Sequence, residues 1–166
     1  MSSLYWLRCP SPWGMLRLLA TERGLCRVVL PAEEGVNRWI ARYLARAVAV
    51  EGAEILRQAQ SQLQAYFAGR RRTLDLPLDL YGTPFQQAVW NLLRDIPFGE
   101  TRSYGQLAAA LGRSQAARAV GQANGANPLP IVIPCHRVIQ SDGSLGGYGG
   151  GVALKRALLL LETETR

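Results

Sequence analysis

Ser103-Tyr104-Gly105-Gln106-Leu107-Ala108-Ala109-Ala110-Leu111-Gly112-Arg113-Ser114-Gln115-Ala116-Ala117-Arg118-Ala119-Val120-Gly121-Gln122-Ala123-Asn124-Gly125 carries two helix signals separated by a glycine. Ser103 with Gln106 makes a capping box, in which each side chain satisfies a backbone N–H that the first turn leaves open. Leu107, Ala108 and Leu111 supply an apolar side, and Gly112 stops the helix. Ser114 is placed to cap a second helix over 115–124, closed by Gly125. Two short helices joined by about three residues have the outline of a helix-turn-helix, an outline that ordinary helical hairpins share.

Upstream, Thr83 and Gln86 make another capping box, Pro84 takes the first helical position, and Phe85, Ala88, Val89, Leu92 and Leu93 form the stripe. Downstream, the triplet Ile131-Val132-Ile133 and the pair Val138-Ile139 read as short strands flanking a cysteine turn. Ser141–Ser144 turns the chain, the glycines from Gly146 to Gly151 keep it loose, and 152–162 returns to helix. Before residue 80 the pattern differs. Leu4–Cys9, Met15–Ala20 and Leu25–Leu30 read as strands, the last two joined as a hairpin through Thr21–Gly24. Apolar residues at helical spacing predict helices over Glu33–Val48 and from Ile55 to Phe67, with Gly69 as the stop. The alternating leucines Leu74, Leu76, Leu78 and Leu80 read as extended chain, which Pro77 restricts to an edge or a linker. The expected division is an α/β domain over 1–79 and a mainly helical domain over 80–166.

Composition sets bounds. With 48% hydrophobic and 19% charged residues among 166, the chain has the makings of a globular protein with a real core. No apolar run approaches the ~18 residues of a membrane span, and Arg8 and Arg17 interrupt any leader-like stretch, so a cytoplasmic location and no membrane partner are expected. Three cysteines, Cys9, Cys26 and Cys135, show no paired spacing, so reduced thiols are the default. Net charge is +7, and Lys155 is the sole lysine beside eighteen arginines. That balance admits a polyanionic partner without requiring one. Arg70-Arg71-Arg72 reads most simply as a solvated linker.

The only histidine, His136, adjoins Cys135. No Cys-x-x-Cys or histidine pair exists to hold zinc, so neither metal nor other cofactor is expected. The glycine-rich loop lacks the Gly-Lys-Ser/Thr of a phosphate-binding loop. A cysteine becomes a nucleophile when a base or cation favours its thiolate, and His136 and Arg137 supply one of each. Taken alone, the pair reads more simply as a buried structural cysteine beside a surface histidine. A Cys-His hydrolase is a rival, but such enzymes place the base across a cleft.

Pro134-Cys135-His136-Arg137-Val138 closely resembles the active-site motif of the O6-alkylguanine-DNA alkyltransferases. Gly82-Thr83-Pro84-Phe85-Gln86, Tyr104-Gly105-Gln106-Leu107-Ala108, Ala116-Ala117-Arg118-Ala119-Val120-Gly121, Asn127-Pro128 and Gly147-Tyr148-Gly149-Gly150-Gly151 match in family order. The resemblance is strong over 80–162. Over 1–79 it rests on Ser11-Pro12-Trp13-Gly14 and Leu63-Gln64-Ala65-Tyr66-Phe67-Ala68-Gly69.

The resemblance implies a ribonuclease H-like N-terminal domain, a winged helix-turn-helix C-terminal domain, and direct repair of double-stranded DNA carrying O6-alkylguanine, less efficiently O4-alkylthymine. Cys135 matches the alkyl acceptor, used once and irreversibly. His136 matches a base acting through water, Glu162 the glutamate that orients it, Tyr104 the donor to the departing base, and Asn127 the asparagine that ties the turn before the cysteine. Arg118 matches the arginine that enters the stack when the base flips out. Tyr104, Ala117, Ala119, Gly121 and Arg137 are expected with it on the DNA side, and Tyr148, Gly149, Gly150, Pro130 and Val138 around the base pocket. The resemblance implies a monomer and leaves cooperativity on DNA open. A rival function is a sensor that binds the lesion without repairing it; relatives of that kind carry tryptophan where this chain has Cys135.

Overall fold

Leu16 and Leu18 are buried while Met15 and Arg17 are exposed, the period-two signature of a strand with one face on a core, and Leu19 and Ala20 are both buried where the strand ends. The computed structural model describes residues 2–164, in two compact units that divide between Tyr81 and Gly82. The first unit is built on a four-stranded sheet of order β3-β2-β1-β4. Strands β1 (Ser3–Ser11), β2 (Gly14–Ala20) and β3 (Leu25–Val29) run antiparallel, with the expected hairpin between β2 and β3. Helix α2 (Glu54–Phe67) buries Leu56, Ala59, Leu63 and Tyr66 and packs on β1 and β2. Gly69 ends it in the left-handed region at φ 75°, where Arg70 N–H reaches back to the Ala65 carbonyl at 2.8 Å.

The periodic run over Glu33–Val48 is only partly helix: α1 spans Val36–Tyr43, and Val48–Glu51 forms strand β4, parallel to β1. The open edge of β1 is the physical reason. It receives Val48 N–H on the Ser2 carbonyl at 3.0 Å and Gly52 N–H on the Trp6 carbonyl at 2.8 Å, bonds that a continued helix would forgo. Val36 joins Leu4, Leu19, Cys26, Val29 and Leu44 in a cluster edged by Trp39, Tyr43 and Tyr81. The alternating-leucine segment touches β3 through a single bridge, Leu25 to Leu78, beside Pro77. Burial pushes the Cys9 thiol to about 11 and the Cys26 thiol to about 12, as inert core groups.

The second unit is mainly helical. Its capping boxes form as expected: Thr83 Oγ1 accepts from Gln86 N–H at 3.1 Å at the head of α3 (Pro84–Arg94), and Ser103 Oγ from Gln106 N–H at 3.0 Å at the head of α4 (Tyr104–Ala110). Helix α5 spans Ala117–Gly125, so Ser114 does not cap it. Arg113 N–H returns to the Ala108 carbonyl and Ala116 N–H to the Arg113 carbonyl, which uses residues 113–116 for the turn between the helices. The buried Trp90 indole donates to the Ala123 carbonyl at 2.8 Å, joining α3 to α5. A two-residue parallel ladder, β5 (Arg102–Ser103) with β6 (Val138–Ile139), accompanies the helix pair, and α6 spans Val152–Glu164. No helix among the described residues is long and apolar enough to cross a membrane.

The expected strand over 131–133 is a turn instead. Ile133 N–H bonds the Leu129 carbonyl at 2.8 Å, and Ile131 sits at φ 74°, rare for a β-branched residue. Pro128 and Pro130 have no N–H to give to a ladder, and Asn127 closes the loop from inside.

Candidate active site

Cys135 opens a single 3-10 turn, Cys135–Arg137, between the Asn127 loop and β6. Asn127 shapes the approach: its amide donates to the Ile133 carbonyl at 2.8 Å and its carbonyl oxygen accepts Leu129 N–H at 2.9 Å. Asn124, from α5, donates to the Cys135 carbonyl at 3.4 Å. The cysteine is thus fixed from both sides by amide side chains. The β5–β6 register, Arg102 opposite Val138 and Ser103 opposite Ile139, brings the head of α4 and Tyr104 alongside the chain leaving this turn.

The compact turn replaces the extended chain in which His136 would point away from its neighbour. His136 is fully buried, and its Nε2 meets Glu162 Oε2 from α6 at 2.6 Å. The Glu162 carboxylate also accepts from Arg137 Nε at 2.8 Å and Nη2 at 3.0 Å, and from Gly99 N–H at 3.1 Å. Burial by itself raises the Glu162 carboxyl, but hydrogen bonds from His136 and Arg137, with their charges, outweigh it and hold it well below the usual carboxylate range. An ionised carboxylate only accepts, so the imidazole proton sits on Nε2. Nδ1 is left as the basic nitrogen, buried and without a hydrogen-bond partner among the described residues. Burial pushes His136 below its ordinary value, against the pull of Glu162, so the ring is neutral and able to take a proton.

Cys135 is also buried, and burial pushes its thiol up; hydrogen bonding from Asn127 and Tyr148 and the positive charge of Lys155 act the other way. The resting group is therefore a thiol, and its use as a nucleophile would call for a base to take the proton. Burial, followed by the nearby Cys135, raises the Tyr104 phenol, which therefore keeps its proton.

Arg137 corrects an expectation. Its guanidinium, placed on the DNA side by the sequence, is buried: beyond Glu162 it donates from Nη1 to the Ile96 carbonyl at 2.7 Å, and it lies over the Phe98 ring. Carboxylate and carbonyl together satisfy a cation that would otherwise be costly to bury. Val138 is fully buried in β6, directly after the turn. Pro130 is buried in the Asn127 loop. On α5, Arg118 and Ala119 are exposed, whereas Ala117 and Gly121 share the inward stripe of Val120 and Asn124. Tyr148 and Gly150 are half-buried and Gly149 is exposed, all in the loop after β6.

Lys155 was not expected here. It is fully buried, its ammonium bonds the Leu145 carbonyl and, at 3.3 Å, the Gly147 carbonyl, and it lies 5.9 Å from the Tyr104 ring centroid. It pins the glycine-rich loop against Tyr104. The signal in the sequence was its rarity, one lysine among nineteen bases. Among the described residues no three His, Cys, Asp or Glu side chains cluster so as to hold a metal ion.

Comparison with known proteins places this geometry. Residues 84–164 match the family model described as 6-O-methylguanine DNA methyltransferase, DNA binding domain, and residues 4–80 that family's ribonuclease-like domain. The methylated-DNA–protein-cysteine methyltransferase of Methanosarcina acetivorans is 51% identical over 163 residues, covering 96% of this chain and 98% of that protein. That of Mycobacterium tuberculosis is 61% identical over 104 residues, an alignment spanning 63% of each chain. A crystal structure of Mycobacterium tuberculosis OGT in complex with DNA superposes with a TM-score of 0.86 at 44% identity, covering 97% of this chain and 94% of that one. The reactive turn, the helix pair and the N-terminal sheet thus occur together in proteins alike along nearly their whole length, and the chain belongs to the methylated-DNA–protein-cysteine methyltransferase family.

Proposed function

We propose that this protein repairs alkylated double-stranded DNA by moving the alkyl group from O6 of guanine, and more slowly from O4 of thymine, onto Cys135. The observation that carries this reading is the unpartnered Nδ1 of His136, a buried neutral base whose proton is fixed on the far nitrogen by Glu162, one residue from a buried thiol. In the proposed step a water passes the thiol proton to Nδ1, and sulfur attacks the alkyl carbon in line as the carbon–oxygen bond breaks. Tyr104 protonates the departing base, and the proton held on Nδ1 returns through water to the tyrosinate. On balance the thiol hydrogen replaces the alkyl group on guanine. The thioether has no leaving group for water to displace readily, so each molecule reacts once.

A base inside a duplex cannot reach a buried sulfur, so the target must flip out. Exposed Arg118 on α5 would fill the space it leaves, and exposed Ala119 beside it would let the helix approach the backbone closely. The pocket would be walled by Tyr148, Gly149 and Gly150, under the loop that Lys155 holds. In this reading the protein acts as a cytoplasmic monomer that needs no cofactor.

Titration with an O6-methylguanine duplex followed by intact-mass measurement tests this. The expected result is one added methyl per protein, absent in Cys135→Ser. Binding without mass gain would support a lesion sensor instead, and more than one product per protein a hydrolase.

A further inference from the structure

The Tyr104 ring is held by its edges. A β-carbon on Gly121 of α5 would stand 3.7 Å from both Cδ1 and Cε1, and one on Gly146 of the glycine-rich loop 3.4 Å from Cε2 on the opposite edge. Lys155 Nζ lies over the ring. Packing along both edges and the Lys155 ammonium over the face set where the ring sits. Gly121 lies on the inward side of α5, which packs against α4, the helix that Tyr104 opens.

We propose that Gly121 is a positioning residue for alkyl transfer: its missing side chain is the slot that sets the Tyr104 ring, and with it the proton donor. The proposal rests on Tyr104 as the donor to the departing base. Gly146 closes the other edge; its φ of 71° adds a backbone reason for glycine there that Gly121, inside a regular helix, does not have. The recognition helix and the chemistry are therefore linked through one aromatic ring, and bulk at 121 acts on the reaction even without DNA. A methyl at 3.7 Å is ordinary contact, so alanine fits. Valine adds two γ-carbons beyond that contact, confined to one rotamer in a helix, and is expected to press on the ring.

The test is a double-mutant cycle on alkylation of the protein by free O6-benzylguanine, which needs neither helix insertion nor base flipping. Tyr104→Phe is expected to slow it by on the order of 10²-fold. Gly121→Ala should stay within about twofold of the parent with a melting midpoint at or above the parent's, alanine being the better helix former, whereas Gly121→Val should lose about tenfold while remaining folded, its midpoint lowered by the overpacking against the ring. On the Tyr104→Phe background, Gly121→Val should cost less than about twofold more, as expected for two residues acting through one interaction. An equal factor on both backgrounds, or no loss in Gly121→Val alone, would overturn the slot and leave Tyr104 as donor. No loss in Tyr104→Phe would overturn the donor role and the slot with it.

Discussion

His136 and Glu162 stand 26 positions apart and meet at 2.6 Å, Nε2 to Oε2, inside the protein. The contact settles which imidazole nitrogen carries the proton and leaves Nδ1 as the base. Replacing the carboxylate by an amide keeps the shape and removes the charge. Glu162→Gln should slow alkylation on the order of 10²-fold at neutral pH and recover part of that as rising pH ionises the thiol directly. A pH–rate profile parallel to the parent's would remove Glu162 from the relay.

The same pair sets the response to acid. His136 and Glu162 both lie below their ordinary values in the folded protein, so the unfolded chain binds more protons as pH falls. The pair's contribution to stability is full above about pH 6.5 and declines below it, first through His136 and then, under about pH 4.5, through Glu162, with a slope of at most ~1.4 kcal/mol per pH unit for each proton. Thermal melts from pH 8 to 5 should show the decline. His136→Asn should flatten it, since the chain has no other histidine.

Arg137 holds Glu162 through two nitrogens and Ile96 through a third. Arg137→Met removes a buried partner and should destabilise by about 3–5 kcal/mol in chemical denaturation. Affinity of the remaining folded protein for undamaged duplex should change little. A selective loss of DNA binding with normal stability would restore Arg137 to the DNA side.

Asn127 satisfies a buried carbonyl and a buried N–H at once. Asn127→Ala orphans both, and the expected cost is about 2–4 kcal/mol together with slower alkylation by free O6-benzylguanine. An unaltered midpoint would mean that the turn before Cys135 closes without it.

Arg118 is exposed on α5. Arg118→Ala should slow repair of an O6-methylguanine duplex by on the order of 10- to 100-fold while changing reaction with the free base by less than about threefold. Equal losses on both substrates would contradict a role in base extrusion.

Much of the fold was legible because its signals are local. The capping boxes at Thr83 and Ser103, the glycine stop at Gly69 and the β2–β3 hairpin each depend on residues a few positions apart. Where the reading missed, a distant partner intervened: the edge of β1 drew 48–51 out of the expected helix, and Asn127 folded 129–133 into a turn.

The sequence by itself determined the fold class, most of the helices and, through its motifs around Cys135 and His136, the family. Tertiary structure decided what the charged residues do. Arginine beside a histidine suits phosphate in any linear reading, but Arg137 turns inward because Glu162 and the Ile96 carbonyl are waiting there. Lys155 is likewise claimed by loop carbonyls. A charge goes to whichever partner offsets its desolvation most completely, and that partner is found only once the chain has packed.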